Sequence, residues 1–125
     1  MKNKFTWIIV VVIVLVGIWF LARVPAVAPT RNLDAFATCL KDKGALFYGA
    51  FWCPHCQNQK KLFGASASLL PYVECSTPDG QHQNDVCNQK GVQGYPTWVF
   101  SDNSRLTGEV DLQTLAQKTS CTLPQ

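Results

Sequence analysis

The chain has 125 residues, room for one small domain, and a formal charge of +3. That excess sits on Lys2, Lys4 and Arg23; from Val24 onward eight basic side chains meet eight acidic ones. A balanced, mixed surface gives no electrostatic footprint for nucleic acid, and that class of partner is excluded.

Residues 5–22, "FTWIIVVVIVLVGIWFLA", carry no charge. As a helix at ~1.5 Å per residue the run reaches ~27 Å, about one bilayer core. Trp7 and Trp19 lie near its ends, where amphipathic rings favour the membrane interface. Lys2 and Lys4 precede it, so residues 1–4 are expected in the cytoplasm and everything after Arg23 on the periplasmic, extracytoplasmic side of the cytoplasmic membrane. A cleaved signal peptide is the competing reading. Ala26-Val27-Ala28 has the small-x-small pattern of a cleavage site, but Pro29 follows it directly and opposes a cut there. A cut after Ala26 stays open. Because the apolar run is longer than a usual signal core, the expectation is an uncleaved single-pass anchor.

Residues 23–32, "RVPAVAPTRN", combine prolines and small residues without periodicity and read as a linker. The domain is expected over residues 33–121, with 122–125 a tail. Leu33, Phe36, Ala37 and Leu40 have helical spacing within 33–43, with Asn32 as N-cap and Gly44 as the stop. Residues 45–51 are short, apolar and aromatic, as in a buried strand. A helix then opens at "CPHC", carrying Leu62 and Phe63 toward the core and ending near Gly64. Residues 69–75 read as a second strand, "STPDGQHQ" as a polar turn, and 84–90 as a short helix. The loop "GVQGYP" leads into a strand over 97–100, and Asp102-Asn103 turns the chain into a short strand at 105–107. The final helix spans 112–119, capped by Asp111, with Leu115 and Ala116 inward beside Leu112. This order predicts an α/β domain: a small mixed sheet with helices on both faces.

Six cysteines, all on the exported side, are many for a domain of about 100 residues, and disulfides persist in that compartment. They allow fifteen connectivities among which the sequence alone does not choose. The pair Cys53–Cys56 in "FYGAFWCPHCQNQKKLF" has three possible uses. As half of a zinc site it would need Cys75, His82 and Cys87, which lack the tight pair spacing of ribbon or finger sites, so no metal is expected. As a plain staple it would close a loop of two residues and constrain little of the unfolded chain. Its place at a strand-to-helix junction favours the third use, because a helix N-terminus stabilises a thiolate on the first cysteine.

"FWCPHC" followed by Gly94-Tyr95-Pro96-Thr97 resembles the thioredoxin superfamily over roughly residues 45–119. More closely, "FYGAFWCPHCQNQKKLFG", "PYVECS" and "GVQGYPTWV" are similar to the thioredoxin-like domain fused to bacterial vitamin K epoxide reductase homologues. The resemblance implies a thioredoxin-like mixed four-stranded sheet and a thiol–disulfide oxidoreductase acting on protein thiols and disulfides. It also implies a quinone-linked membrane enzyme of the vitamin K epoxide reductase type as redox partner. No cofactor is expected beyond the Cys53–Cys56 pair itself.

In that scheme Cys53, exposed at the helix start, is the nucleophile and the more buried Cys56 resolves the mixed disulfide. Pro54 suits the first helical turn, where its missing N–H is not needed. His55, protonated or hydrogen-bonding, would stabilise the Cys53 thiolate and make the pair more oxidising. Trp52, Tyr95 and Pro96 would form the substrate-binding rim, with Pro96 resembling the family's cis-proline. Phe47 stands where many thioredoxins place a buried acid, which leaves the proton of Cys56 without its usual acceptor. Tyr95 is larger than the usual residue before the proline, and either stacks on substrate or caps the core. Cys39–Cys121 and Cys75–Cys87 are the expected structural disulfides, the first closing most of the domain and the second pinning a turn. Cys75–Cys87 as a second redox relay is the alternative. Against oxidation or relay stand two rivals: a reductant, as in cytochrome maturation, and a stapled binding module with an inert "CPHC".

Overall fold

The computed structural model describes residues 2–21 and 32–125, which fall in two separate units. The first is helix α1, Lys2–Leu21, whose side chains over Asn3–Phe20 are almost all exposed. Among the described residues α1 is the one helix long and apolar enough to cross a membrane, a property it shares with a signal sequence (mean hydropathy 2.1 over that window). Arg23, the Ala26-Val27-Ala28 cleavage pattern, Pro29 and the rest of the expected linker up to residue 31 lie outside the described residues.

The second unit begins with α2, Asp34–Asp42. Leu33, not the expected Asn32, holds the N-cap position; Asn32, two residues before the helix proper, accepts the Asp34 N–H through its side chain at 2.8 Å. Phe36, Ala37 and Leu40 are fully buried on its inner face, and Gly44 ends the helix at φ +76°, a left-handed conformation that favours glycine. Then come β1 (Leu46–Gly49), α3 (Pro54–Lys61), a 3₁₀ turn at Gly64–Leu69, β2 (Tyr72–Glu74), α4 (Asp85–Gln89), β3 (Thr97–Val99), β4 (Arg105–Thr107) and α5 (Leu112–Thr119). The strand order is β2-β1-β3-β4. β1 runs parallel to β2, as a crossover through α3 requires, and antiparallel to β3, which pairs antiparallel with β4.

Alternation along the strands sorts the core onto the two sheet faces. Phe47 and Trp98, register partners, stack at 4.9 Å in the larger cluster, together with Phe36, Phe63 and Leu115. Tyr48 and Val99 belong to the other cluster, with Cys75, Cys87 and Val92. Each large side chain so buried contributes roughly 1.5–3 kcal/mol. The domain is thus a thioredoxin-like mixed four-stranded sheet with flanking helices.

Two local expectations need correction. Leu62 does not reach the core: α3 stops at Lys61, the chain tightens into the 3₁₀ turn, and Leu62 is 45% exposed. Phe63 alone turns inward, stacking on Phe36 at 5.9 Å. The strand expected from residue 69 shortens to Tyr72–Glu74 because the 3₁₀ turn takes its first residue.

Candidate functional site

Cys53 is the N-cap of α3, and its sulfur accepts the Cys56 N–H at 3.3 Å. Pro54 occupies the first helical turn, where no N–H is required. The Cys56 amide at this helix start therefore points its positive end at Cys53 Sγ. Cys53 and Cys56 are unlinked to each other or to any other cysteine. Cys53 is less exposed than its position suggests: 4% of the residue is accessible, against none of Cys56. The loop before β3 covers it, and the Cys53 thiol donates to the Tyr95 carbonyl at 3.7 Å. The Tyr95–Pro96 peptide is cis and Pro96 is buried.

The rim is a linked set of side chains. Trp52, 52% exposed, meets the Tyr95 ring edge-on at 6.0 Å and donates its indole N–H to Ser76 Oγ at 2.8 Å. The Tyr95 hydroxyl bonds Gln83 Oε1. Tyr95 is thus half-buried and tied at both ends, with one ring contact already made by Trp52. Ser76 and Gln83 bridge each other in the turn that Cys75–Cys87 closes, where the two sulfurs are bonded and both residues are fully buried. A second bond joins Cys39 to Cys121 across 82 residues, tying α2 to the chain just past α5. Cys75 and Cys87, which a zinc reading needs as thiolates, are spent on each other. Among the described residues no cluster of three or more His, Cys, Asp or Glu could hold a metal ion.

Residues outside the expected set shape the site as well. His55 Nδ1 lies 2.7 Å from Glu109 Oε1, which also accepts Asn58 Nδ2 at 3.1 Å. The His55 bond, with that of Asn58 behind it, holds the Glu109 carboxyl below the usual carboxylate range. Glu109 is kept there by Gln59, a buried amide that accepts the Val110 N–H at 2.6 Å and donates to the Val110 carbonyl at 2.8 Å. His55, Asn58 and Gln59 follow one another at helical spacing, a polar stripe visible in the sequence; its partner more than fifty residues away is not.

Behind the pair, Phe47 is fully buried between Tyr72, edge-on at 5.2 Å, and Trp98. It offers no proton acceptor. Gly49 has to be glycine because a Cβ there would lie 2.9 Å from both Cys56 Sγ and the Tyr72 ring. Burial pushes the Cys56 thiol up to about 12, with the bond to Cys53 adding to the rise. The reduced pair is therefore expected to alkylate in a strict order. At pH 7 to 8.5 iodoacetamide should modify Cys53 and leave Cys56 untouched, as read by peptide mass mapping; modification of Cys56 first would contradict this geometry.

The Thioredoxin family model matches residues 30–120. Thiol-disulfide oxidoreductase LTO1 of Arabidopsis thaliana is 43% identical over 96 residues, covering 73% of this chain and 25% of that protein. Protein disulfide-isomerase A5 of Bos taurus is 31% identical over 86 residues, or 62% of this chain and 16% of its own length. The probable protein disulfide-isomerase ER-60 of Schistosoma mansoni is 35% identical over 72 residues, 50% of this chain and 14% of that protein. The chain thus spans a quarter or less of these curated relatives.

Proposed function

This chain belongs to the thioredoxin family, and on that premise we propose that it is a membrane-anchored thiol–disulfide oxidoreductase working outside the cytoplasmic membrane. One observation carries the reading: Cys53 Sγ caps α3, receives the Cys56 N–H, and faces the backbone of the Tyr95–Pro96 loop. Cys53 attacks a client disulfide and forms a mixed disulfide; Cys56 then displaces the client thiol and closes Cys53–Cys56. Run backwards, the same steps oxidise a client. That the similar proteins are an oxidoreductase and two protein disulfide-isomerases supports this chemistry.

Oxidation or relay is the proposed direction. A helix start aimed at Cys53 stabilises the reduced pair, which makes the disulfide the better oxidant. The likeness to a domain fused to vitamin K epoxide reductase homologues proposes a quinone-linked membrane enzyme as the partner that reoxidises it. The apolar helix α1 supports confinement at the membrane, which raises the effective concentration of such a partner.

The test is the potential of Cys53–Cys56, equilibrated in glutathione buffers, together with trapping. Related proteins span about −270 to about −120 mV, and a value in the oxidising half is expected. A Cys56→Ala variant should accumulate a membrane protein linked through Cys53. A potential near about −270 mV, with trapped partners from a reducing pathway, would reassign the protein as a reductant.

A further inference from the structure

The resolving step needs Cys56 as a thiolate, yet Cys56 is inaccessible, closed off by Gly49 within the apolar cluster that also holds Phe47. Glu74, the carboxylate on β2, is already engaged. Its Oε1 accepts the N–H groups of Phe51 and Ser76, and its Oε2 accepts the Tyr72 hydroxyl at 2.8 Å. The charge that remains is on the helix of Cys56 itself. Lys60 follows Cys56 by four residues, the spacing that places two side chains on one helix face. Its ammonium sits 3.5 Å over the Tyr72 ring centroid, and that ring shares the space above Gly49 with Cys56 Sγ.

We propose that Lys60, seated on Tyr72, is the positioning charge that lets Cys56 act as the resolving thiolate. The groups facing Cys56 are Cys53 and Lys60 on α3, the Ala50 backbone after β1, Tyr72 on β2, and Tyr95 before β3. Of these Lys60 alone brings positive charge, and alongside the stronger backbone hydrogen bond from Ala50 it opposes the rise that burial imposes on the Cys56 thiol. The cation–π seat holds the ammonium close without burying it, since Lys60 stays half-exposed. In the step itself Cys56–SH loses its proton, and the thiolate attacks Cys53 of the mixed disulfide. The Cys53–S to client-S bond breaks, Cys53–Cys56 forms, and the proton ends on the released client thiol. Cys56 is oxidised and the client sulfur reduced. This inference rests on the dithiol–disulfide reading above.

The experiment separates the two. The reduced full chain in detergent is mixed with one equivalent of 4,4′-dithiodipyridine, an uncharged probe. Stopped-flow absorbance records a first thiopyridone released by Cys53 and a second released by Cys56. For Lys60→Gln the second release should slow about tenfold relative to the first, as for a thiol raised by one pH unit, and its pH profile should move upward. Lys60→Arg should restore the ratio. A wild-type ratio in Lys60→Gln, or a Lys60→Arg variant as slow as Lys60→Gln, overturns the proposal. So does parallel slowing of both releases with a lowered thermal midpoint, which would make Lys60 merely structural. No first release from the wild type would instead overturn the oxidoreductase reading itself.

Discussion

Cys53→Ser is expected to lower disulfide exchange, read as insulin reduction under dithiothreitol, by about a thousandfold or more, to background. Serine keeps the cap geometry, since its hydroxyl also accepts the Cys56 N–H, so the loss reports the nucleophile and not the fold. The substitution leaves Cys56 as a free thiol, but one that is inaccessible and still raised by burial. It cannot stand in. Cys56→Ser behaves differently: the first attack survives and the protein stalls as a mixed disulfide, visible on non-reducing gels. Because the two sulfurs act in sequence on one substrate, the double variant should be no worse than Cys53→Ser alone. Residual exchange by Cys53→Ser at a tenth of the wild-type rate would mean that another thiol is reactive, and the assignment of Cys53 would fall.

The site splits into what is local in sequence and what is not. Cys53, Pro54 and Cys56 were legible because a cap, a first-turn proline and a second thiol lie within four residues, and backbone geometry alone fixes their relation. The strand-helix order was legible for the same reason, since β4 and α5 fall on the residues that the Asp102-Asn103 turn and the Asp111 cap marked. What packs over the pair was not. Glu109 against His55, and Gln83 against Tyr95, join residues from distant segments through side chains that look like ordinary surface polars. Phe47 reads as a missing acid, but nothing local shows that Tyr72 is its register partner, or that Tyr72 carries Lys60. The 3₁₀ turn at Gly64–Leu69 also escaped, because "GASAS" lacks the periodicity that marks an element.

Removing the Cys39–Cys121 bond by Cys39→Ala with Cys121→Ala is expected to cost more stability than removing Cys75–Cys87. The bond spans 82 residues, and the loop-closure entropy it removes from the unfolded chain amounts to about 4.5 kcal/mol. Cys75–Cys87 spans 12 residues, for which the same relation gives about 2.8 kcal/mol. Against the roughly 5–15 kcal/mol of a whole domain, the first loss leaves little margin. The functional effects should run the other way. Cys39–Cys121 ties α2 to the end of α5, whereas Cys75–Cys87 closes the turn whose Ser76 and Gln83 hold Trp52 and Tyr95 at the rim. Loss of the long-range bond should therefore lower the guanidinium midpoint strongly while the Cys53–Cys56 potential stays put. Loss of the short one should lower the midpoint less but slow exchange with protein substrates, because the rim loses its backing. Denaturant titrations of both double variants, paired with insulin assays at a temperature where each is folded, decide this. A larger drop for the 12-residue loop would show that native packing, not chain entropy, governs what these bonds contribute.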